Sequence, residues 1–233
     1  MQADSMGRPQ AIVTDIEGTT SSLDFVHEVL FPYSRSRLAD HVRANAASLR
    51  EVLGAVDRAA GQTLDLDAQI ALLLEWHDAD RKIGPLKDVQ AAIWAEGFRS
   101  RAFTGHIYPD AVAALRRWHG AGIALYVYSS GSVAAQKLLF GHSDAGDLTP
   151  LFAGHFDTNV GAKREVASYR AIAGAIGFDP ADILFLSDVA AELAAAQAAG
   201  LRVILVARDG DPGTEDYPRV ASFDAIEPWL LPA

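Results

Sequence analysis

Cysteine is absent from all 233 residues, and this absence removes several classes of protein at once. Without thiols there is no disulfide framework, zinc-thiolate finger, iron–sulfur cluster or catalytic cysteine. No stretch approaches the ~20 consecutive apolar residues that span a bilayer, and the N-terminal segment MQADSMGRPQ lacks the apolar core of a secretory signal. These absences predict a soluble cytoplasmic protein.

Positive charge is also scarce. The chain has 20 basic and 30 acidic residues, which gives a formal net charge of -10 at pH 7. Because such a charge repels nucleic acid and anionic membrane surfaces, we expect neither as a partner. The glycine-rich cradles of dinucleotides and nucleoside triphosphates, G-x-G-x-x-G after the first strand and G-x-x-x-x-G-K-[ST], are missing as well.

Short apolar runs separated by helical segments dominate what is present. A strand–helix–strand alternation of this kind predicts an α/β fold with a doubly wound, Rossmann-like parallel sheet and right-handed crossovers. The predicted strands are Ala11–Val13, Ile123–Tyr128, a weaker piece at His155–Asp157, Ile183–Leu186 and Val203–Val206. The predicted helices between them are Asp110–His119, Arg164–Ile176 and Ala190–Ala199.

The region after the first strand has no strand-like run and shows helical apolar spacing throughout. Its predicted helices are Phe25–Ala44, Ala46–Ala60, Asp65–Arg81 and Leu86–Phe103, the first kinked or divided at Pro32. We interpret residues 21–105 as an all-helical cap domain inserted over the carboxyl edge of the sheet. Residues 1–20 and 106–233 then form the α/β catalytic core.

Polar residues stand where the predicted strands end, which is where open parallel sheets bind ligands. These residues are Asp15, Glu17, Ser129, Ser130, Gly131, Lys163 and Asp188. Any one of them alone is commonly a helix cap or a solvated charge. Their coincidence at neighbouring strand ends predicts a single crevice that contains three carboxylates, one lysine and a hydroxyl-and-glycine turn.

Electrostatics favours a divalent cation in that crevice. Two carboxylates ~5 Å apart repel by about 3 kcal/mol at an effective dielectric near 20, so Asp15, Glu17 and Asp188 need cations nearby. One Mg²⁺ per subunit and Lys163 would balance the three charges, and hard oxygen ligands favour Mg²⁺ over zinc. The Ser129–Gly131 turn and the start of the following helix are suited to binding phosphate.

The motifs at the strand ends resemble those of the haloacid dehalogenase-like phosphohydrolases. They are D-I-E-G-T-T after the first strand, S-S-G after the second, a lone lysine, and S-D after the fourth. Asp15-Ile16-Glu17 in place of the usual D-x-D is similar to the enolase-phosphatases of methionine salvage. Four further segments carry that resemblance: F-P-Y at 31–33, Y-S-S-G-S at 128–132, Q-K-L-L-F-G-H-S at 136–143 and G-H-F-D-T at 154–158.

The resemblance implies a substrate and a set of roles. Enolase-phosphatases enolise 2,3-diketo-5-methylthiopentyl-1-phosphate and then hydrolyse its phosphate ester to release the acireductone. Asp15 would be the nucleophile and a Mg²⁺ ligand, and Asp188 a second ligand. Glu17 would belong to the Mg²⁺ site, either as an acid/base group or through its main-chain carbonyl alone. Ser129, Ser130 and Lys163 would hold the phosphate.

Some alternatives stay open at this stage. Glu192, four residues after Asp188, would either support the metal or serve as a capping or solvated residue. Two alternative functions also stay open. The protein would be either a Mg²⁺-dependent phosphatase of another small phosphate ester or a non-catalytic module that binds a phospho-ligand. Asp15 argues against simple binding, because a carboxylate repels phosphate. We expect a monomer whose partner is a small phosphate ester.

Overall fold

A computed structural model of the chain describes residues 8–208 and 217–226. The start of the N-terminal tail lies outside the described residues, as does Trp229, which the sequence predicts to be a core residue on a helix face. The chain divides into two compact units, one formed before Asp24 and after Thr104, the other by Asp24–Thr104. Among the described residues, no helix is both long enough and apolar enough to cross a lipid bilayer.

The first unit contains a parallel sheet, and the predicted doubly wound fold class is confirmed. Within the described residues the sheet has six strands in the order β3-β2-β1-β4-β5-β6. The strands are β1 Ala11–Thr14, β2 Ala124–Tyr128, β3 Phe152–Phe156, β4 Ile183–Ser187, β5 Arg202–Val206 and β6 Arg219–Val220. Each neighbouring pair is parallel, so all carboxyl ends lie at the same edge.

The central strands follow the apolar runs of the sequence. Every residue of β1 is buried, and Val13 pairs with Tyr126 on one side and Phe185 on the other. The prediction for the third strand was wrong in its bounds, because β3 begins at Phe152 and ends before Asp157. Strand β6 was not predicted, since two residues carry no periodic signal.

Helices flank this sheet and complete its core. They are α5 Pro109–Gly120, α6 Val133–Gly141, α7 Val166–Ile176 and α8 Ala190–Ala198. The Ser132 side chain caps α6 by accepting a hydrogen bond from the Ala135 N–H, and Gly177 ends α7 in the left-handed conformation that glycine adopts readily. Tyr169 of α7 and Leu193 of α8 are fully buried in the apolar cluster that these two helices form with β1, β4 and β5.

The second unit consists of helices joined by short turns and loops, and its described residues, 24–104, contain no strand. Its helices are α1 Phe31–Asn45, α2 Arg50–Ala60, α3 Leu66–Asp78 and α4 Gly84–Arg99, and a π-helical segment spans Phe25–Leu30. The helix changes from π-helical to α-helical next to Pro32, but the backbone stays helical across the junction. The Phe31 N–H bonds back to the Val26 carbonyl, and α1 then begins with the proline in its first turn, where no amide donor is needed.

Candidate active site

The carboxyl ends of β1, β2 and β4 meet at a pocket, because these three strands are neighbours in the sheet. The pocket is lined by Asp15, Glu17, Leu23, Ser129, Ser130, Lys163, Asp188, Val189 and Glu192, all from the first unit. Six of the seven residues that the sequence singled out therefore line one cavity. The exception is Gly131, whose N–H donates to the Ser129 Oγ at 3.2 Å and so orients that hydroxyl.

Asp15 is held by the turn that follows β1. The Ile16 N–H donates to its Oδ1 at 2.7 Å, and the Thr20 hydroxyl donates to its main-chain oxygen at 3.0 Å. The side chain is only 5% exposed. Gly18 in the same turn has φ +71°, and a Cβ there would lie 2.3 Å from the Asp188 Oδ2. This turn therefore requires glycine both for its backbone conformation and for the space that Asp188 occupies.

Asp188 packs against the β1 turn and is tied to it through Thr19. The Asp188 N–H donates to the Thr19 Oγ1 at 3.1 Å, and that hydroxyl lies 3.2 Å from the Asp188 Oδ1. Burial, and then the charge of Asp15, raises the pKa of Asp188 to about 6. In the protein alone, the charge of Asp15 thus opposes the ionisation of Asp188.

Lys163 forms the positive centre of the pocket. Its Nζ lies 2.7 Å from the Asp15 Oδ2 and 2.7 Å from the Glu192 Oε2, and its side chain is 11% exposed. Burial alone would lower the pKa of Lys163, but the charges of Asp15 and Glu192 outweigh burial and raise it. The amine therefore stays protonated at neutral pH and forms ion pairs with both carboxylates.

Glu192 is part of the pocket and does not act as a helix cap or a solvated residue. It is 7% exposed, and the Ser187 hydroxyl donates to its Oε2 at 3.1 Å. The same hydroxyl lies 3.4 Å from Asp15. Burial, and then the charge of Asp15, raises the pKa of Glu192, with Lys163 opposing that rise. The spacing from Asp188 was the sequence signal for this residue, but it did not show which group Glu192 would contact.

Leu23 and Val189 also line the pocket, and sequence reasoning did not single them out. Each is a single apolar residue outside any periodic pattern, so no local signal distinguishes them from core residues. Leu23 is 41% exposed.

The charges of the lining indicate which group would complete the site. Four carboxyl groups and one ammonium carry a net charge of -3 when all are ionised, and this would repel a phosphate ester. A divalent cation with hard oxygen ligands would reduce this net charge from -3 to -1, and Asp15 and Asp188 fit Mg²⁺ in ligand type. Within residues 8–208 and 217–226, no three His, Cys, Asp or Glu side chains are grouped as metal ligands.

Comparisons with known proteins agree with this geometry. The profile of the haloacid dehalogenase-like hydrolases matches residues 9–200. Enolase-phosphatase E1 of Methylococcus capsulatus is 55% identical over 225 residues, covering 95% of this chain and 99% of that protein. Enolase-phosphatase E1 of Klebsiella pneumoniae is 55% identical over 231 residues, covering 96% and 99%.

A solved structure has the same fold. The UTR4 protein of Saccharomyces cerevisiae superposes with a TM-score of 0.77 at 31% identity, covering 94% of this chain and all of that one. Sequence relatives, family profile and fold thus agree over nearly the full length. The chain belongs to the haloacid dehalogenase-like hydrolases and, among them, to the enolase-phosphatase E1 family.

Proposed function

We propose that the protein is a bifunctional enolase-phosphatase of methionine salvage. It converts 2,3-diketo-5-methylthiopentyl-1-phosphate to the acireductone 1,2-dihydroxy-3-keto-5-methylthiopentene and inorganic phosphate. Membership of the enolase-phosphatase E1 family supports the reaction. The observation that carries the chemistry is the buried contact of Asp15 with Lys163, in a pocket that also contains Asp188 and two serines.

Asp15 is the proposed nucleophile for phosphate release. One oxygen of its carboxylate attacks phosphorus, the bond from phosphorus to the ester oxygen breaks, and the leaving oxygen takes up a proton. Water then attacks phosphorus in the aspartyl phosphate and restores the carboxylate. Lys163 stabilises the negative charge that develops on the transferred oxygens, while Ser129 and Ser130 hold them by hydrogen bonds.

Mg²⁺ would be held by carboxylate oxygens of Asp15 and Asp188 and by the main-chain carbonyl of Glu17. When bound, the ion supplies positive charge that offsets the carboxylates and polarises the oxygen atoms of the substrate. The carboxylate of Glu17 then serves as the acid or base of the enolisation instead of as a ligand. It removes the carbon-bound proton next to the diketone and delivers a proton to oxygen.

The test is ultraviolet absorbance of the enol in parallel with inorganic phosphate release, using the diketone phosphate and Mg²⁺. We expect the enol signal to appear and phosphate to follow, with both signals lost after chelation by EDTA. Similar hydrolysis of many phosphate esters without an enol signal would instead identify a general phosphatase. Absence of turnover, with tighter phosphate binding by Asp15→Asn, would identify a binding module.

Four further features complete the proposal. The helical unit acts as a cap domain that excludes water from the reacting substrate. The protein works as a monomer with one Mg²⁺ per subunit. It does so in the cytoplasm. These features stay predictions. Sedimentation tests the monomer, metal titration tests the number of Mg²⁺ ions per subunit, and fractionation of cells tests the cytoplasmic location.

A further inference from the structure

Lys163 stands on a segment that no helix or strand supports. The segment between β3 and α7 consists of turns and irregular backbone. A lysine side chain has a flexible stem of four carbons. A fixed position of its ammonium group therefore requires a fixed main chain at the same residue. The two 2.7 Å contacts that Lys163 makes therefore require some other support for this backbone.

That support is a row of three side-chain hydroxyls. The Tyr128 hydroxyl donates to the carbonyl of Gly161 at 2.9 Å. The Ser168 hydroxyl donates to the carbonyl of Ala162, the next residue, at 2.7 Å. The Tyr169 hydroxyl donates to the carbonyl of Lys163 itself, also at 2.7 Å. Three consecutive carbonyls thus each accept a hydrogen bond from one side-chain hydroxyl, and the Ala162 carbonyl also accepts one from the Glu165 N–H at 3.0 Å. We name Tyr128, Ser168 and Tyr169 the hydroxyl clamp.

The donors of the hydroxyl clamp are rigid. All three are 2% exposed or less, and the rings of Tyr128 and Tyr169 meet edge to face at 5.5 Å. Tyr169 also packs against Phe185 of β4 at 5.1 Å. Burial raises the pKa of both tyrosines, so both keep the proton that they donate. Because Tyr128 directly precedes Ser129, the clamp also couples the segment to the serine turn.

Gly161 allows the segment to approach the clamp. Its φ is +143°, and a Cβ at this position would lie 2.2 Å from the Ser168 Oγ. Any larger residue would push the segment away from α7 and break the bond between Ser168 and Ala162. The close approach and the three hydrogen bonds are therefore parts of one arrangement.

We propose that Tyr128, Ser168 and Tyr169 are positioning residues that fix the ammonium group of Lys163 for phosphoryl transfer, a role that rests on the proposed function. None of the three lines the pocket, and all three act through the main chain of residues 161–163. The ring of Tyr128 also lies 5.9 Å from the Lys163 Nζ, as measured to the ring centroid. A displacement of a catalytic group by 1 Å costs roughly a hundredfold in rate. Tyr169 has the most direct role, because it binds the carbonyl of Lys163.

The decisive variant is Tyr169→Phe, which removes one oxygen and keeps the ring that packs in the core. We expect kcat for phosphate release to fall about tenfold to a hundredfold while KM changes by less than about twofold. Amide hydrogen exchange of residues 161–165 should accelerate, with the rest of the sheet unaffected. Tyr126→Phe is the control, because Tyr126 lies on β2 outside the hydroxyl clamp, and its kinetics and exchange should equal those of the wild type.

The outcomes separate this proposal from the proposed function. If the wild type neither forms enol nor releases phosphate, the proposed function fails, and hydrogen exchange alone decides whether the clamp holds the segment. Unchanged exchange at residues 161–165 in Tyr169→Phe overturns the clamp. In an active enzyme, an unchanged kcat overturns its positioning role. An equal loss in Tyr126→Phe also overturns it, because any tyrosine hydroxyl would then be equivalent.

Discussion

The two units of the molecule use ion pairs in opposite ways. In the sheet unit, Lys163 contacts Asp15 and Glu192 with all three side chains 11% exposed or less. In the helical unit, Arg35 binds both carboxylate oxygens of Asp78, yet these side chains are 43% and 55% exposed. A buried ion pair pays a large desolvation cost, whereas an exposed pair costs and contributes little. The buried cluster is therefore explained by chemistry and not by stability.

Apolar packing, by contrast, is alike in both units. Leu73 and Val56 of the helical unit are fully buried, as are Phe185 and Leu193 of the sheet unit. Each unit thus has a core of its own, and only one of them contains a dense group of buried charges. Substitutions of the buried charged residues should therefore lower activity, whereas substitutions in the apolar cores should lower stability.

The largest effect should follow from Asp15→Asn. The amide cannot form the aspartyl phosphate, so we expect phosphate release to fall by at least about a thousandfold. Circular dichroism should show an intact fold, because the amide has nearly the size and shape of the carboxylate. A rate close to that of the wild type would refute the assignment of Asp15 as nucleophile.

A somewhat smaller loss should follow from Lys163→Met. Removing the ammonium withdraws charge stabilisation and leaves Asp15 and Glu192 without their shared cation, so we expect a loss of about 10²- to 10³-fold in phosphate release. Lys82→Met is the matched control, since Lys82 is 54% exposed in the helical unit. Equal losses in both variants would contradict the distinction between buried and exposed cations.

A core variant should change stability instead of chemistry. Leu73→Ala leaves a cavity in the helical unit, and we expect the free energy of unfolding to fall by about 2–5 kcal/mol in urea titration. An unfolding midpoint and slope identical to those of the wild type would mean that Leu73 does not contribute to a core of the helical unit.

The smallest effect should come from Arg35→Ala. The hydrogen bond from Arg35 lowers the pKa of Asp78 below its ordinary value. Because the pKa is lowered in the folded state, any stability from this pair is present above the ordinary aspartate pKa and is lost as the pH falls through the lowered value. At neutral pH we expect urea midpoints and turnover that cannot be distinguished from those of the wild type. A clear loss of turnover would place this exposed pair in the functional machinery.

The sequence was most informative about the middle of the sheet. Strands β1 and β4 are buried along their length, so their apolar runs are continuous and easily recognised. Strands β3 and β6 lie at the two edges of the described sheet, where partial exposure interrupts such runs. This explains why one was misplaced and the other was not predicted.

The gathering of the site residues could be predicted because a parallel sheet brings strand ends together. The contacts among them could not. The contact of Glu192 with Lys163 and the bond from Tyr128 to Gly161 join residues that are distant in sequence. A tyrosine at the end of a buried strand is typical of a core residue, and no local pattern reveals which carbonyl its hydroxyl meets.

The central claim is that the carboxylate of Asp15 receives the phosphoryl group. Rapid acid quench during turnover, followed by peptide mass spectrometry, tests it most directly. We predict the added mass of one phosphoryl group on the peptide that contains Asp15, and its absence in Asp15→Asn. A phosphoryl group on any other residue, or turnover with a pre-steady-state burst and no modified peptide, would contradict the account.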